Sequence, residues 1–476
     1  MKLFGQLLER IIDRVNVNLR SLGFDVRPYV RVMAEYRYGG CSFACYGLST
    51  YHPIHLQFDN SSLSGSYFLG RCKVRHSVLM RSDIRGDELK KKGQIWEIDD
   101  IRIPLYHDEI ITIRNSFLDT TLVHSNSHSP ESPEEFPIRN TVAMPYANIH
   151  GAPIEGSFIG TFGTVDLTCV HNCVIGHFAY VLAGEVRAES FPPGTILLRS
   201  GGAWEFRYTY DPAVLDRYIR HEEGEAPEGL FIDFAEPYED AFAGLFASAR
   251  QGVYPAGAGS FVSRYAVKRG ETSIANNVLV AQRAYLENAI LHTGSNAQEK
   301  CYIIDSVLGP RCVAAHGAKI VGTHLEEHIF VGFNCFLHGT AKAPLTIGRD
   351  CIVMPHTIID LEEPVHVPAN RLVWGIIRRA ADLEENSIDL DELATGSGDV
   401  RMGRMTFRGD AAGFVRGFRD RIDHILQENG AFWDGHDEVS KGHSQNMKYL
   451  TFNIIQPYAD GDAEGLYPTI DIRPIG

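Results

Sequence analysis

The sequence predicts a mainly β protein built around a parallel β-helix with three-sided coils. Two observations predict this fold class. Aliphatic residues return every six positions over much of residues 273–377, and small residues recur four positions after them. One aliphatic side chain per flat face, followed by a tight corner, would form a central column as coils stack at the strand spacing of about 4.8 Å. Helical periodicity elsewhere predicts a helix-containing insertion and α-helical additions at both ends.

Residues 1–56 are predicted to form an N-terminal helix and cap. Apolar residues recur at helical spacing between Met1 and Val17, but charged residues interrupt them, which is not typical of a signal peptide. The sequence contains no run of about 18 apolar residues, so we do not expect a membrane-spanning helix. Nine cysteines without a secretory signal favour a reducing compartment, so we expect a cytoplasmic protein. The net charge of −15 argues against binding to nucleic acid, because phosphates repel a net anion.

Residues 57–185 are predicted to form a first, irregular β-helical block. Aliphatic residues with the expected spacing and their small partners are Ile159, Val165, Ile175, Val181, Gly163, Cys169 and Ala179. Residues 186–271 lose the period and contain an acidic, helix-like run, which predicts an insertion with a helical part. Residues 125–135 are predicted to form a polar surface loop.

Residues 272–378 carry the regular repeat and are predicted to form the second β-helical block. Its aliphatic column is Leu308, Ala314, Ile320, Leu325, Val331, Leu337, Ile347, Val353, Ile359 and Val365. Its small column is Cys312, Ala318, Cys335, Ala341, Cys351, Thr357 and Ala369. A coil of three six-residue faces predicts about 18 residues per turn. Residues 379–476, with an amphipathic helix over 414–428, are predicted to form a C-terminal helical cap or tail.

The repeat, an aliphatic residue often followed by glycine and then by a small residue, resembles that of the bacterial hexapeptide-repeat transferase family. The resemblance implies a left-handed parallel β-helix and a homotrimer whose active sites lie in grooves between subunits. It also implies transfer of an acyl group from acyl-CoA to the hydroxyl or amine of a small-molecule substrate, a sugar or nucleotide-sugar. A histidine commonly serves as the general base in such enzymes.

Two histidines are the candidate bases that this resemblance suggests. His338 is the first, because the ten-residue gap from Leu337 to Ile347 leaves room for a loop over 339–346. His316 is the second. Lys342 in that loop could meet a CoA phosphate or remain a solvated lysine. Trp374 could touch the CoA arm or close the last coil.

Residues 269–321 also resemble, in part, the γ-class carbonic anhydrases. The matching segments are Arg269-Gly270-Glu271, Ile290-Leu291-His292 and Ala315-His316-Gly317. The family's third histidine falls on Val321, which cannot bind a metal, so a zinc site would need His292, His316 and His324 together. The sequence favours loss of that metal. Three functions therefore stay open: an acyltransferase, a non-catalytic β-helical binding or scaffold protein, and a degenerate carbonic-anhydrase-like metalloprotein.

Overall fold

The structure is a computed structural model, and it describes residues 2–37, 43–48, 54–86, 88–98, 101–124, 133–151, 153–247, 255–396, 398–429 and 451–474. The chain divides into two compact units. Unit 1 comprises Met1–Thr195, Asp211–Phe234 and Tyr449–Gly476, and unit 2 comprises Ile196–Tyr210 and Ala235–Lys448. Most of the loop predicted at 125–135 lies outside the described residues. The five predicted segments stay a prediction.

The secondary structure is dominated by short strands. The helices are α1 (Lys2–Leu19), α2 (Arg27–Arg37), α3 (Pro212–Leu215), α4 (Leu230–Ala247), α5 (Leu383–Asn386), α6 (Leu390–Thr395) and α7 (Ala411–His424). The first strands are β1 (Ala44–Leu48), β2 (His55–Asp59), β3 (Tyr67–Arg75), β4 (Val78–Met80), β5 (Asp83–Gly86), β6 (Ile95–Ile98), β7 (Ile101–Pro104), β8 (Ile110–Arg114), β9 (Phe117–Asp119), β10 (Leu122–His124), β11 (Glu135–Arg139), β12 (Val142–Ala143), β13 (Asn148–His150), β14 (Ile154–Glu155), β15 (Phe158–Ile159), β16 (Thr164–Asp166), β17 (Thr168–His171), β18 (Val174–Ile175), β19 (Tyr180–Leu182), β20 (Gly184–Arg187), β21 (Ser190–Phe191), β22 (Thr195–Ser200) and β23 (Trp204–Thr209).

The later strands follow the same short pattern. They are β24 (Phe261–Val262), β25 (Val267–Arg269), β26 (Ser273–Ile274), β27 (Leu279–Val280), β28 (Tyr285–Glu287), β29 (Ile290–Leu291), β30 (Asn296–Ala297), β31 (Tyr302–Ile304), β32 (Val307–Leu308), β33 (Val313–Ala314), β34 (Lys319–Val321), β35 (Thr323–Leu325), β36 (Phe330–Val331), β37 (Phe336–His338), β38 (Leu345–Ile347), β39 (Ile352–Val353), β40 (Ile358–Asp360), β41 (Val365–Val367), β42 (Arg371–Val373), β43 (Ile376–Ile377), β44 (Ser387–Asp389), β45 (Val400–Met402), β46 (Met405–Gly409), β47 (Thr451–Ile455) and β48 (Ile470–Ile472). The prediction of a mainly β fold with parallel sheets and an N-terminal helix is confirmed. Among the described helices, none combines the length and apolar character that crossing a bilayer requires.

Unit 1 contains a coil in which each strand from β8 to β18 pairs in parallel with the strand three places further along the chain. Ile138, Ile154, Val170 and Val186 pair in register, so the residue number rises by sixteen from one coil to the next. Two five-residue steps and one six-residue step therefore make a turn. The predicted inward residues Ile159, Val165, Ile175 and Val181 are fully buried. Val170 also faces inward, and a strict six-residue period missed it.

Residues distant in sequence complete unit 1. The apolar face of α1 packs through Leu7, Ile11 and Val15 in one buried cluster that also contains Phe117 and Val142. Strands β47 and β48 pair antiparallel with β1 and β2, so part of the predicted C-terminal cap forms strands instead. Such pairing between opposite ends of the chain leaves no local pattern in the sequence.

Unit 2 contains the regular coil, built from three parallel sheets in which every third strand is a neighbour. Leu291, Leu308 and Leu325 pair in register, so the residue number rises by seventeen per regular coil, one fewer than three full hexads would give. Each of these seventeen-residue coils contains one five-residue step, such as that from Ile320 to Leu325, which explains the single slip visible in the repeat. Two later coils are longer, because Ile347 and then Val367 continue the column of Leu325.

Four of the predicted positions are wrong in detail. Val365 pairs with Leu345 instead of continuing the column of Ile347. Ala341 is exposed, because it lies in the loop after β37 and not at a corner. Cys169 is half-buried on the outer side of β17, and Cys173 is the buried cysteine that follows that strand. Ala369 is also exposed, because the residue that continues the column before it is Val367 and not Val365. Of the other small residues, Cys312, Ala318, Cys335 and Cys351 are fully buried, as predicted.

One corner of the unit 2 coil requires a left-handed backbone. Asn288 and Asp305 both have φ of 49°, and Gly322 has φ of 56°. Asparagine, aspartate and glycine tolerate this conformation better than other residues do. The Asn288 side-chain amide also donates to the Asp305 carboxylate at 2.9 Å, which links two successive coils. Side chains at these corners therefore hold the turns in register.

Candidate functional site

His338 is the candidate base with the most favourable surroundings in the coil of unit 2. In β37, Leu337 points into the core, so His338 points outward. Strand β40 pairs in register and places Asp360 directly beside it. His338 Nδ1 lies 2.9 Å from Asp360 Oδ1, and the side chains are 36% and 12% exposed. A carboxylate on Nδ1 favours the tautomer that carries its proton there, which leaves Nε2 to accept one.

The loop after β37 lies beside this pair and is shorter than predicted, since β38 begins at Leu345. Thr340 and Ala343 close it with two reciprocal backbone hydrogen bonds of 3.0 and 3.1 Å. A Cβ atom on Gly339 would lie 2.6 Å from the carbonyl oxygen of Gly322, so this close approach requires glycine. Lys342 is exposed at the loop tip, where its ammonium group is accessible to an anion.

His316, the second candidate base, is buried with 2% of its surface exposed. It follows β33 at a corner, where its Nδ1 lies 2.9 Å from Glu299 Oε2. The ring also packs on Phe333, with 5.1 Å between centroids. His316 therefore has a carboxylate partner like His338, but much less access to solvent.

The structure does not bring the three predicted metal ligands together within this coil. His292 follows β29, and the exposed His324 lies in β35, two strands away in the same sheet. His316 instead follows β33, which belongs to a different sheet. The ligand set that the sequence suggested therefore has its members on separate faces and corners.

Trp374 lies at the end of the coil and has 1% of its surface exposed. Its ring meets Phe206 edge-on at 6.1 Å, and its backbone N–H donates to the carbonyl oxygen of Asn386 at 3.0 Å. This environment closes the last coil and leaves no surface for a CoA arm in this conformation. We therefore do not include Trp374 in the site proposed below.

Comparison with known proteins supplies the family. A family model described as a hexapeptide repeat including a loop matches residues 101–223. The solved structure of a "putative acetyltransferase" from Desulfovibrio desulfuricans G20 is 55% identical, covers 100% of both chains and has a TM-score of 0.94. This chain belongs to the hexapeptide-repeat transferase family. The resemblance inferred from the repeat is confirmed, while no curated protein matches this member of the family.

Sequence reasoning missed Asp360, which is the carboxylate partner of His338. It follows His338 by twenty-two positions, because the loop at 339–344 lengthens this coil. A carboxylate one coil after a histidine, at the same outward position, is the signal that could have found it. Counting in fixed hexads hides this signal wherever a coil is longer than its neighbours.

Sequence reasoning also missed a buried polar face on the coil of unit 1. His124, His150 and Asp166 occupy equivalent outward positions on β10, β13 and β16. His150 Nδ1 lies 2.8 Å from Asp166 Oδ1, and the Tyr180 hydroxyl donates to the other oxygen of Asp166. His124 Nε2 lies 3.3 Å from a carboxylate oxygen of Glu88. The spacing of His150 and Asp166, sixteen positions or one coil, was the available signal.

Proposed function

We propose that this chain is an acetyltransferase that moves the acetyl group of acetyl-CoA to a hydroxyl or amine of a sugar or nucleotide-sugar. The observation that carries the proposal is the pair of His338 and Asp360, with 2.9 Å between Nδ1 and Oδ1 and a partly exposed imidazole. Membership of the transferase family and the description of its relative from Desulfovibrio desulfuricans G20 support the same chemistry.

In the proposed reaction, the imidazole of His338 removes the proton of the attacking group. Nε2 takes the proton while the acceptor oxygen or nitrogen forms a bond to the thioester carbonyl carbon. The carbon–sulfur bond then breaks, and the proton passes to the departing CoA sulfur. Asp360 holds the ring in place and stabilises its protonated form through Nδ1. Lys342 at the adjacent loop tip would bind a CoA phosphate through its charge.

The test is acceptor-dependent release of CoA thiol by the full-length chain, with acetyl-CoA and a panel of amino sugars and nucleotide-sugars. A general base contributes about 10²–10⁴-fold, so we expect His338→Ala to lower kcat by that factor. His328→Ala is the matched control, because His328 Nδ1 lies 2.8 Å from Asp350 Oδ1 in the same coil. Full activity of the His338 variant would contradict the proposed base, as would turnover that no acceptor stimulates.

His316 and Asp360 refine the same assay. His316→Ala tests the second candidate base, and we expect its effect on kcat to be much smaller because His316 is buried. Asp360 is a positioning residue, since it acts through His338. We therefore expect Asp360→Asn to lower kcat with little change in KM for acetyl-CoA, whereas a general loss of structure would change both constants.

The resemblance to the family supports three further elements of the proposal. The coils would wind left-handed, three chains would form a homotrimer, and the enzyme would work in the cytoplasm with acyl-CoA as co-substrate. Sedimentation equilibrium of the purified chain tests the trimer directly. A mass of one chain at working concentrations would contradict it.

A further inference from the structure

The buried polar face of unit 1 contains two histidines on neighbouring parallel strands. Their ring centroids lie 5.5 Å apart with an interplanar angle of 47°. A ligand-capable nitrogen of one ring lies within 4.8 Å of such a nitrogen on the other. Two nitrogens bound to one zinc ion, at about 2.0–2.1 Å each, are about 3.3 Å apart in a tetrahedral site.

A carboxylate orients each of the two rings. Asp166 is fully buried beside His150, whose side chain is 14% exposed. Glu88 and His124 have side chains that are 11% and 6% exposed. Histidines that bind metals almost always use one ring nitrogen for the metal and the other for such a carboxylate or carbonyl partner. Each ring therefore has one nitrogen beside a carboxylate, as metal-binding histidines usually do, and a second nitrogen for the metal.

The charge of this face also favours a dication. Asp83 and Arg85 lie at outward positions of β5, which pairs with β10, and both are 2% exposed. Together with Glu88 and Asp166 they give three carboxylates against one guanidinium, a formal charge of −2 when the histidines are neutral. A bound dication would balance the remaining charge.

We propose that His124 and His150 bind a divalent transition-metal ion of the zinc type, with Glu88 and Asp166 orienting their rings. Imidazole ligands suit zinc, cobalt and nickel better than calcium or magnesium, which prefer oxygen ligands. The two histidines supply two of the ligands of the ion, and oxygen or nitrogen donors such as water fill the others. This proposal does not depend on the proposed acyl transfer, because metal binding can be measured without any enzymatic activity.

The test uses the full-length chain, stripped with a chelator and titrated with Co²⁺ and, separately, with Zn²⁺. We expect one equivalent of either ion to bind, with a visible Co²⁺ spectrum typical of nitrogen ligation. His124→Ala and His150→Ala should each weaken binding at least tenfold. Asp166→Asn should weaken it by about 10–100-fold through loss of ring orientation. His171→Ala is the matched control, since His171 is a half-buried histidine on β17, the strand that follows β16.

X-ray absorption of the zinc-loaded wild-type chain supplies a measurement that does not depend on variants folding. Scattering from at least two imidazole rings supports the proposal. A wild-type chain that binds less than half an equivalent, or that shows no imidazole scattering, would overturn it. Binding that His124→Ala and His150→Ala leave unchanged while His171→Ala removes it would also overturn it.

Discussion

The histidine–aspartate pair at the proposed metal face of unit 1 and the pair at the proposed base of unit 2 share a geometry but differ in their surroundings. His150 and Asp166 in unit 1 are separated by 2.8 Å, and His338 and Asp360 in unit 2 by 2.9 Å, through the same atoms. In both pairs the residues lie at equivalent outward positions of successive coils. The pair in unit 1 is 14% and 0% exposed, whereas the pair in unit 2 is 36% and 12% exposed.

The register of successive coils places each histidine beside its aspartate, and the two pairs differ in how far solvent can reach them. An exposed imidazole can exchange a proton with an acceptor molecule, which suits a general base. A buried imidazole held by a buried carboxylate is fixed in direction and shielded from solvent, which suits a metal ligand or a structural contact. Substitution of the aspartate in each pair tests this difference, because removal of a buried partner should destabilise the protein more than removal of an exposed one.

The largest difference should appear when each aspartate is removed. Asp166→Ala leaves a buried histidine and the Tyr180 hydroxyl without their carboxylate, and breaking a buried pair typically costs about 3–5 kcal/mol. Asp360→Ala removes a partner from a more exposed histidine, and such pairs typically contribute under about 1 kcal/mol. We therefore expect a much lower midpoint of thermal unfolding for the Asp166 variant than for the Asp360 variant.

Both variants are measured with a chelator present, so that loss of a bound metal does not add to the effect. Wild type under the same conditions supplies the reference midpoint. Equal midpoints for the two variants would contradict this prediction, because burial would then have no effect on how much each pair contributes to stability.

The sequence predicted the coils well because their core repeats a simple rule. Each face needs one inward aliphatic side chain and each corner a compact residue, so Leu308, Leu325 and Cys312 carry the pattern on their own. It could not predict the lengths of individual coils. Steps of five residues, as from Ile320 to Leu325, depend on corner conformations that glycine, asparagine and aspartate all allow.

The sites were harder to predict than the fold, because a pair across two coils has no fixed separation in sequence. His338 was found from the gap that follows it, but Asp360 lies twenty-two positions later, whereas His150 and Asp166 are only sixteen apart. Burial was equally invisible. Trp374 and His316 are polar or aromatic residues at corners, and only the packing of Phe206 and Phe333 shows that both are covered.

A second prediction concerns the buried histidine His221 of unit 1. His221 is 6% exposed, and burial, with a smaller contribution from His177, lowers its pKa to about 4. The unfolded chain takes up this proton near pH 6.5, so it binds more protons than the folded chain between these values. The stability that His221 contributes is therefore complete above about pH 6.5 and falls by about 3 kcal/mol as the pH drops towards 4.

Urea unfolding at pH 7 and at pH 5 measures this dependence. His221→Gln removes the titrating group and can keep a hydrogen bond to Thr161 Oγ1, which lies 2.7 Å from His221 Nδ1. We expect the variant to lose less stability on acidification than wild type does. His171→Gln serves as the control and should follow wild type. An identical loss in wild type and the His221 variant would show that other groups cause it.

The smallest predicted effect is a change in KM for acetyl-CoA when the exposed Lys342, near His338, is replaced. The residue is exposed at the loop tip, so Lys342→Ala should leave the unfolding midpoint unchanged. Loss of one solvated charge opposite a phosphate should raise KM for acetyl-CoA by about 1.4- to fivefold, since exposed ion pairs are worth about 0.2–1 kcal/mol. Added salt should narrow the difference in KM between Lys342→Ala and wild type, because it screens the charge.

The control is Lys268→Ala, on β25 of the same sheet as His338, which should leave KM unchanged. Equal KM values for all three proteins would remove Lys342 from the CoA site while leaving the His338 base intact.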